Sequence, residues 1–565
     1  MLDRENAVWP IRRSIAALDL VLGQLLADIA AGRAAGHRAD DLVLVGDEIA
    51  GHGADGGADQ HALVLFLLLA RLAGILVPVL FRQGDGGRRR PGDEGQGHAG
   101  GHESVERGQI AHVVNPLIQT EPRLYACSRR RTTWLLLFAG KPISGLVLGR
   151  IAIVAEFETH IGKVGFQGDG IASDGGIVPL TLPGERVRVR PGKDRLELTA
   201  VLDPSPQRVS PPCPHFTACG GCALQHWDMA AYSAWKREMV QVMLGRAGFA
   251  VEVAPILTTP PHSRRRVGLH ARRQGRQVDL GYKMRRSWSL VPIHACTIAD
   301  PAIVGALPQL KALAAPLFGH PKSAPILHVT VSLTGLDIDI SGVERSHSGG
   351  LSGDARLEIA QVAAAADFAR VTLAGDILYG ARTPMIAFGR ARIGLPQGSF
   401  LQASAQSEAD MVRLVAGGVG NARRVADLFC GAGAFTFPLA EGATVRAVDG
   451  SAPAIAALRS AIASAPGLKT ITPEARDLFR RPLLAEDMKG LDAIVFDPPR
   501  AGAEAQSHEI ARSGITRAVA VSCHPATFVR DAKILVNAGF SLDSVTPIDQ
   551  FLWSPHVELV GIFSR

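Results

Sequence analysis

The chain is 565 residues long, and apolar residues make up 47% of it. This length exceeds what one hydrophobic core usually supports, so the sequence predicts several domains, and the apolar content excludes a wholly disordered protein. The formal net charge of +7 is compatible with an anionic partner but does not identify one. The 7 cysteines are too few and too unevenly spread for a secreted disulfide framework, which favours a reducing cytoplasm as the location.

Residues 1–150 lack a recognisable domain pattern and are left unassigned. They combine glycine- and arginine-rich runs with one apolar run at 62–81. That run approaches the ~20 residues of a membrane span, but an arginine and a proline interrupt it, so we predict no membrane association. No methionine lies between Met1 and Met229. We therefore consider a disordered segment, or an over-extended reading frame whose true start lies near residues 147–154.

Residues 151–205 alternate apolar and polar positions between glycine-rich turns, a pattern typical of short antiparallel strands that close a small barrel. The segments 165–172 and 182–187 resemble the TRAM domain, an RNA-binding barrel of the oligonucleotide-binding type. The sequence therefore predicts a TRAM-like β-barrel at 151–205.

Residues 206–400 are predicted to form a mixed α+β central domain that contains a cysteine cluster. Its spacing is Cys213-x5-Cys219-x2-Cys222, with Cys296 far downstream. Four thiolates can hold zinc or an iron-sulfur cluster. Three close cysteines with one distant cysteine favour a [4Fe-4S] cluster over zinc, and four unligated thiols are the remaining alternative.

The central domain also carries short basic runs at 264–266, 272–273 and 285–286, with Tyr282 and Trp288 near the last. Arginines of this kind contact RNA phosphates, and aromatic rings stack on bases. The runs therefore favour RNA binding, and a solvated basic face is the alternative.

Residues 401–565 alternate between strand and helix patterns, which predicts an α/β domain with a mostly parallel, Rossmann-like sheet. Ligands of such sheets bind at the carboxyl ends of the strands. The predicted strands are 425–429, 444–448, 493–496 and 518–522, and the predicted helices are 434–440 and 452–463.

Three motifs stand at predicted strand ends of this domain. The first, DLFCGAGAF at 427–435, runs through two glycines that let the backbone approach a ligand. The next strand ends in Asp449, an acid placed to accept hydrogen bonds from ribose hydroxyls. A third strand ends in DPPR at 497–500. Together they favour a methyltransferase that binds S-adenosylmethionine over a dinucleotide-dependent dehydrogenase or a purely structural sheet.

Cys523 follows another predicted strand, in the sequence VSCHP, and suits a nucleophile. Carbon 5 of uracil is too weakly nucleophilic to accept a methyl group directly, and a thiolate added at carbon 6 activates it. A base must then remove the proton on carbon 5, and Glu558, in the sequence HVE, offers a carboxylate for this step. A buried structural thiol is the alternative for Cys523 alone.

With these motifs, residues 152–565 resemble the bacterial RNA uracil-5 methyltransferases, most closely the iron-sulfur enzymes that modify 23S ribosomal RNA. The resemblance implies RNA as the partner, either 23S or transfer RNA, and no obligate protein partner. It also implies a nucleophile at Cys523 and a general base at Glu558. The implied cofactor contacts are Gln402, Phe429, Asp449 and Asp497, and the implied ligands of a [4Fe-4S] cluster are Cys213, Cys219, Cys222 and Cys296.

The chain departs from the family pattern at three positions. Ser404 and His524 stand where the family usually has asparagine, and Asp449 stands where it usually has glutamate. Ser404 and His524 leave open which uridine is modified, whereas Asp449 can accept the same hydrogen bonds as a glutamate. A cytosine-5 methyltransferase is an alternative, but it would normally carry a cysteine within 497–500. A non-enzymatic iron-sulfur RNA-binding module is a second alternative function. Separately, Asp477 is a further candidate for a cofactor contact, on the adenine side.

Overall fold

The protein is described here by a computed structural model that covers residues 123–126, 134–137, 156–344 and 351–565. Its first elements are strands β1 (Arg123–Ala126) and β2 (Trp134–Leu137), which pair antiparallel. The expectations for the apolar run at 62–81 and for a start near 147–154 lie outside the described residues. Within those residues, no helix combines the length and apolarity that a membrane span requires.

The first complete unit is a five-stranded antiparallel sheet with strand order β5-β4-β3-β6-β7. Alternate residues of its strands point to one face and form a small core around Ile161, Val178, Val187 and Val189. The strands are β3 (Phe157–Val164), β4 (Gly170–Ala172), β5 (Ile177–Val178), β6 (Arg186–Pro191) and β7 (Leu196–Asp203).

The central region contains a seven-stranded sheet with strand order β11-β10-β9-β12-β13-β14-β15. A core of leucine, isoleucine and valine side chains lies between this sheet and its helices. The elements up to the first helices are α1 (Met229–Arg246), β8 (Leu257–Thr258), β9 (Arg266–Gln274), β10 (Gln277–Lys283), β11 (Leu290–Pro292), α2 (Pro301–Gly305), α3 (Leu307–Ala314) and a 3-10 turn (Ala315–Leu317). The remaining elements are β12 (Ile326–Ser332), β13 (Gly335–Ser341), α4 (Gly353–Ala365), β14 (Arg370–Leu373), β15 (Asp376–Gly380) and the hairpin β16 (Met385–Phe388) and β17 (Ala391–Gly394).

The carboxyl-terminal region is an α/β unit built on an eight-stranded sheet with strand order β20-β19-β18-β21-β22-β24-β23-β8. Its elements begin with α5 (Ala405–Val419), β18 (Arg424–Leu428), α6 (Thr436–Leu439), β19 (Thr444–Asp449), α7 (Ala452–Ile462) and β20 (Ile471–Ala475). They continue with a 3-10 turn (Glu486–Met488), β21 (Ala493–Phe496), α8 (Glu504–Arg512), β22 (Arg517–Ser522), α9 (Pro525–Asn537), β23 (Ser541–Asp549) and β24 (Glu558–Ser564).

The predicted α/β class of this region is confirmed, but its sheet is more mixed than the sequence pattern predicts. Strands β18 to β22 are parallel, whereas β24 pairs antiparallel with both β22 and β23. The sheet ends with β8, which comes from the central region and pairs parallel with β23. Helix α1 also belongs to this core, because Met239, Val240 and Leu244 are buried among residues of β21, β22 and α9. The central region therefore has its own core and also contributes α1 to a core of the carboxyl-terminal region.

Candidate active site

The loop after β18 turns sharply between the strand and α6. Phe429, Gly431 and Gly433 have positive φ angles of 59°, 54° and 102°. A Cβ atom at Gly433 would approach the Phe437 ring to 2.8 Å, so glycine is needed there for packing as well as for backbone conformation. This loop lies at the carboxyl end of the sheet, where α/β proteins bind their ligands.

Asp449, the last residue of β19, is tied to this loop. One carboxylate oxygen accepts a hydrogen bond from the Gly431 N–H at 2.9 Å, and the other accepts one from the Ser451 N–H at 2.6 Å. Each oxygen keeps a further lone pair. The carboxylate is thus held in place and can still accept hydrogen bonds from ribose hydroxyls.

An aromatic pair lies beside the same loop. The Phe429 and Phe479 rings are 5.4 Å apart between centroids, and Phe479 is 51% exposed. Asp477 holds the Phe479 turn, because one of its oxygens accepts from the N–H groups of Phe479 and Arg480. Phe479 is a residue that sequence reasoning missed, since nothing in its local sequence marks it as a neighbour of Phe429.

Three carboxylates converge at the ends of β18, β19 and β21. Asp427 is completely buried, and burial together with the charges of Asp497 and Asp449 raises its pKa to about 7. One of its oxygens accepts from Thr436 Oγ1 at 2.5 Å, while Oδ1 finds no hydrogen-bond partner among the described residues. Burial also raises the pKa of Asp497 to about 7. A cationic ligand would relieve the repulsion among these groups.

A chain of hydrogen bonds joins Asp497 to Glu558. Gln402 Nε2 donates to Asp497 Oδ2 at 3.2 Å, and Gln402 Oε1 accepts from Gln550 Nε2 at 3.0 Å. The same Gln550 nitrogen donates to Glu558 Oε1 at 2.6 Å. Gln402, Gln550 and Glu558 are all buried. Gln550 has no distinguishing local sequence and was also missed by sequence reasoning.

Cys523 lies next to this network, at the end of β22. Burial and the charges of Glu558 and Asp497 together raise the pKa of its thiol to about 11, and the charge of Arg500 opposes them. Burial and the charge of Asp497 raise the pKa of Glu558 to about 8, against the hydrogen bond from Gln550. The structure therefore brings Cys523, Glu558, Asp497 and Gln402 together, in surroundings that favour the protonated forms of the thiol and of the Glu558 carboxyl.

Ser404 and His524, two of the three residues that depart from the usual family pattern, have the same structural role. The Ser404 side chain caps α5 by accepting from the Ser407 N–H at 3.3 Å. The His524 side chain caps α9 by accepting from the Thr527 N–H at 3.4 Å. Asparagine is also a good residue at this helix position. Both substitutions therefore preserve the start of the helix that follows.

Cys213, Cys219, Cys222 and Cys296 line one cavity of about 470 Å³, and all four are free thiols. Burial, with a smaller contribution from the other three thiols, raises the pKa of Cys222 to about 12. Among the described residues, no group of three or more histidine, cysteine, aspartate or glutamate side chains is arranged to hold a metal ion. The structure brings the four cysteines to one cavity without arranging them around a metal site, and a bound cluster stays a prediction.

The cysteine cavity lies near the cluster of Cys523, Glu558, Asp497 and Gln402. His556 lines its wall and lies two residues before Glu558. Lys236, buried on α1, fixes this connection between β23 and β24. Its Nζ donates to Asp549 Oδ1 at 2.5 Å and to the His556 carbonyl at 2.7 Å. The connection between β23 and β24 therefore lines the cysteine cavity with Phe551, Leu552, Ser554 and His556, and its ends carry Gln550 and Glu558 of the reaction centre.

The basic run at 264–266 is largely structural. Arg265 pairs with Glu408 at 2.5 Å and donates to the Gln402 carbonyl at 3.0 Å. Arg266 donates to the Ser399 carbonyl at 2.8 Å, and Arg264 lines the cysteine cavity. Arg265 therefore joins the central region to the start of the carboxyl-terminal region, a use that differs from the phosphate contact predicted from the sequence.

Comparison with known proteins decides which class of enzyme this arrangement belongs to. The family model described as tRNA (uracil-5-)-methyltransferase matches residues 392–565. A protein of Caulobacter vibrioides called an uncharacterized RNA methyltransferase is 56% identical over 411 residues, which are 72% of this chain and 99% of the relative. This chain belongs to the RNA uracil-5 methyltransferase family. It is accordingly an S-adenosylmethionine-dependent RNA methyltransferase, which removes the dehydrogenase alternative.

Two more distantly similar proteins have named substrates. The 23S rRNA (uracil(1939)-C(5))-methyltransferase RlmD of Pectobacterium atrosepticum is 29% identical over 426 residues, 70% of this chain and 91% of that protein. The crystal structure of Pyrococcus abyssi tRNA (uracil-54, C5)-methyltransferase with S-adenosyl-L-homocysteine aligns with a TM-score of 0.54 at 24% identity. It covers 72% of this methyltransferase and 99% of its own chain, and it supports the α/β fold.

Proposed function

We propose that this methyltransferase transfers the methyl group of S-adenosylmethionine to carbon 5 of a uridine in 23S ribosomal RNA. The observation that carries the proposal is the convergence of Cys523 with Glu558, joined to Asp497 through Gln550 and Gln402. The similarity to RlmD favours ribosomal RNA over transfer RNA as the substrate. No cysteine occurs within 497–500, where a cytosine-5 enzyme would normally carry one.

In the reaction, the Cys523 thiol first loses its proton to solvent, and the sulfur adds to carbon 6 of the uracil. The electron pair shifted to carbon 5 then attacks the methyl group of the sulfonium, and S-adenosylhomocysteine leaves. Glu558 removes the proton on carbon 5, the carbon-sulfur bond breaks, and the double bond re-forms. The departing Cys523 thiolate regains a proton from solvent and Glu558 passes the carbon 5 proton to solvent, so each turnover releases one proton in total.

The cofactor site is proposed to consist of Phe429, Asp449, Gln402 and Asp497, as the family resemblance implies, together with Asp427. Three clustered carboxylates favour a ligand that carries an ammonium and a sulfonium. Asp449, held by the glycine loop, is placed to accept from the ribose hydroxyls. Phe429 offers an aromatic surface to the adenine, and Phe479 extends it.

A [4Fe-4S] cluster is proposed on Cys213, Cys219, Cys222 and Cys296, because four free thiols line one cavity of soft donor groups. A bound cluster would tie the 213–222 loop to Cys296 and would suit a reducing cytoplasm. Anaerobically purified protein should contain about four iron and four sulfide per chain, and Cys296→Ser should lose both. Full-length protein that is folded after anaerobic purification but contains no iron would contradict this assignment.

The five-stranded sheet at 157–203 is proposed to be the RNA-binding barrel of the TRAM type. Its size, antiparallel order and single small core suit such a module. Its exposed face carries Arg186, Arg188 and Arg190, although ion pairs with Glu158 and Glu197 neutralise part of their charge.

The function is tested by mapping 5-methyluridine by mass spectrometry in ribosomal and transfer RNA from cells with and without the gene. Loss at one 23S position is the expected result, and a plasmid copy should restore it. A plasmid copy carrying Cys523→Ala should not. Loss from transfer RNA alone would reassign the substrate, and unchanged 5-methyluridine in both pools would contradict the proposal.

A further inference from the structure

The turn between β10 and β11 presents the most exposed large apolar side chain among the described residues. Trp288 is 87% exposed. The Nζ atom of Lys283 lies 3.7 Å from the centroid of its ring. A single exposed apolar residue needs no explanation, but an indole paired with a cation on one turn combines a stacking surface with a phosphate-binding charge.

The surroundings of this turn carry an excess of positive charge. Asp169 is buried, and its carboxylate forms ion pairs with three arginines, Arg195, Arg285 and Arg286. One negative charge against three leaves two positive charges in excess, before Lys283 is counted. The Arg286 side chain is 48% exposed, so part of this charge reaches the surface. The patch therefore suits an anionic partner.

The turn is held rigidly on two sides. The Lys283 carbonyl accepts from the Gly220 N–H at 3.0 Å, which fastens the turn to the cysteine loop. Arg285 donates to the Gln167 carbonyl at 2.8 Å, which fastens it to the five-stranded sheet. Trp288 is therefore presented on a preorganised support, which lowers the ordering cost of binding. Phe166, next to Gln167, is 50% exposed on the same support.

We propose that Trp288 and Lys283 form a platform, the Trp288 platform, that binds an unpaired nucleotide of the RNA substrate. The base stacks on the indole, and the ammonium of Lys283 pairs with a phosphate of the same strand. This inference rests on the proposed function, because it takes RNA as the partner. It extends that function by naming a second place on the protein that the RNA strand contacts, away from the target uridine. The hydrogen bond from the Gly220 N–H to the Lys283 carbonyl places the platform beside the loop that carries Cys219 and Cys222.

The platform is tested by fluorescence anisotropy of a labelled, unstructured oligoribonucleotide with the full-length protein and no methyl donor. Trp288→Ala should weaken the affinity about five- to a hundredfold, and Trp288→Phe should stay within about threefold of the wild type, because a ring still stacks. Ile377→Ala is the matched control, since Ile377 is 63% exposed on β15, at the opposite edge of the same sheet. Lys283→Gln should lower the slope of log affinity against log salt by about 0.7.

Equal affinity of the wild type and Trp288→Ala for the oligoribonucleotide overturns the platform and leaves the methylation proposal standing. An oligoribonucleotide that the wild type does not bind at all overturns the platform, and methylation of ribosomal RNA by the same preparation then shows whether the proposed function survives. If Trp288→Ala binds the oligoribonucleotide as the wild type does but methylates assembled ribosomal particles poorly, Trp288 contacts a ribosomal protein. That result also overturns the platform.

Discussion

Cys523 and Glu558 are 35 positions apart in the chain, and sheet register brings them together. Strands β22 and β24 are antiparallel, and Ser522 pairs with Leu559, so the next positions along the two strands are Cys523 and Glu558. Burial raises the pKa of the Cys523 thiol, neighbouring carboxylates raise it too, and a cation near the sulfur favours the thiolate. Arg500 and the sulfonium of the cofactor are the groups available for this.

The pH dependence of turnover follows from Glu558. Burial raises its pKa to about 8, and a base must be ionised to accept a proton, so kcat should rise from pH 6 to pH 8 and not fall. Because the hydrogen bond from Gln550 lowers this pKa, Gln550→Leu should move the midpoint of the rise to higher pH. Steady-state rates at saturating RNA check both, and a flat profile between pH 6 and pH 9 would contradict the assignment of the base.

At the scale of elements, α1 connects the central region to the reaction centre through one buried ion pair. Lys236 holds Asp549 at the end of β23 and the carbonyl of His556 just before β24. Tyr232, one turn earlier on α1, donates to the other Asp549 oxygen at 2.7 Å. The connection that carries Gln550 is therefore positioned from a helix more than 300 residues away in the chain.

Lys236→Met should cost about 3–5 kcal/mol of stability, because it leaves the Asp549 carboxylate buried without its cation. The control is Lys489→Met, whose partner is Glu486 and whose side chains are 77% and 83% exposed. That change should cost less than about 1 kcal/mol. Urea unfolding monitored by circular dichroism gives both values, and equal losses for the two variants would refute the role assigned to Lys236.

Local patterns predict the elements of the carboxyl-terminal region well and the long-range contacts poorly. The predicted strand at 493–496 matches β21, and the predicted strand at 425–429 differs from β18 by one residue at each end, because the motifs at their ends act locally. Gln550, Phe479 and Lys236 carry no local signal, since each acquires its role from a partner distant in the sequence. The structural role of Arg265 carries no local signal for the same reason, because its partner Glu408 lies 143 positions away, while RNA contact by the other basic residues stays a prediction.

At the scale of the whole molecule, the described regions meet around one reaction centre. The central region contributes β8 to the edge of the carboxyl-terminal sheet and α1 to its core. The five-stranded sheet is joined to the central region by the arginines around Asp169. An RNA strand bound on the Trp288 platform would therefore lie beside the cavity whose wall leads to Glu558.

The covalent mechanism is tested most directly by trapping its intermediate. With S-adenosylmethionine and ribosomal RNA, Glu558→Gln should accumulate a protein-RNA adduct that survives a denaturing gel, because the methyl group is transferred but the proton on carbon 5 stays. The double variant Cys523→Ala/Glu558→Gln should form no adduct while still binding S-adenosylmethionine, since the thiol acts on the base. An adduct in the double variant, or none in Glu558→Gln with RNA that the wild type methylates, would contradict the account.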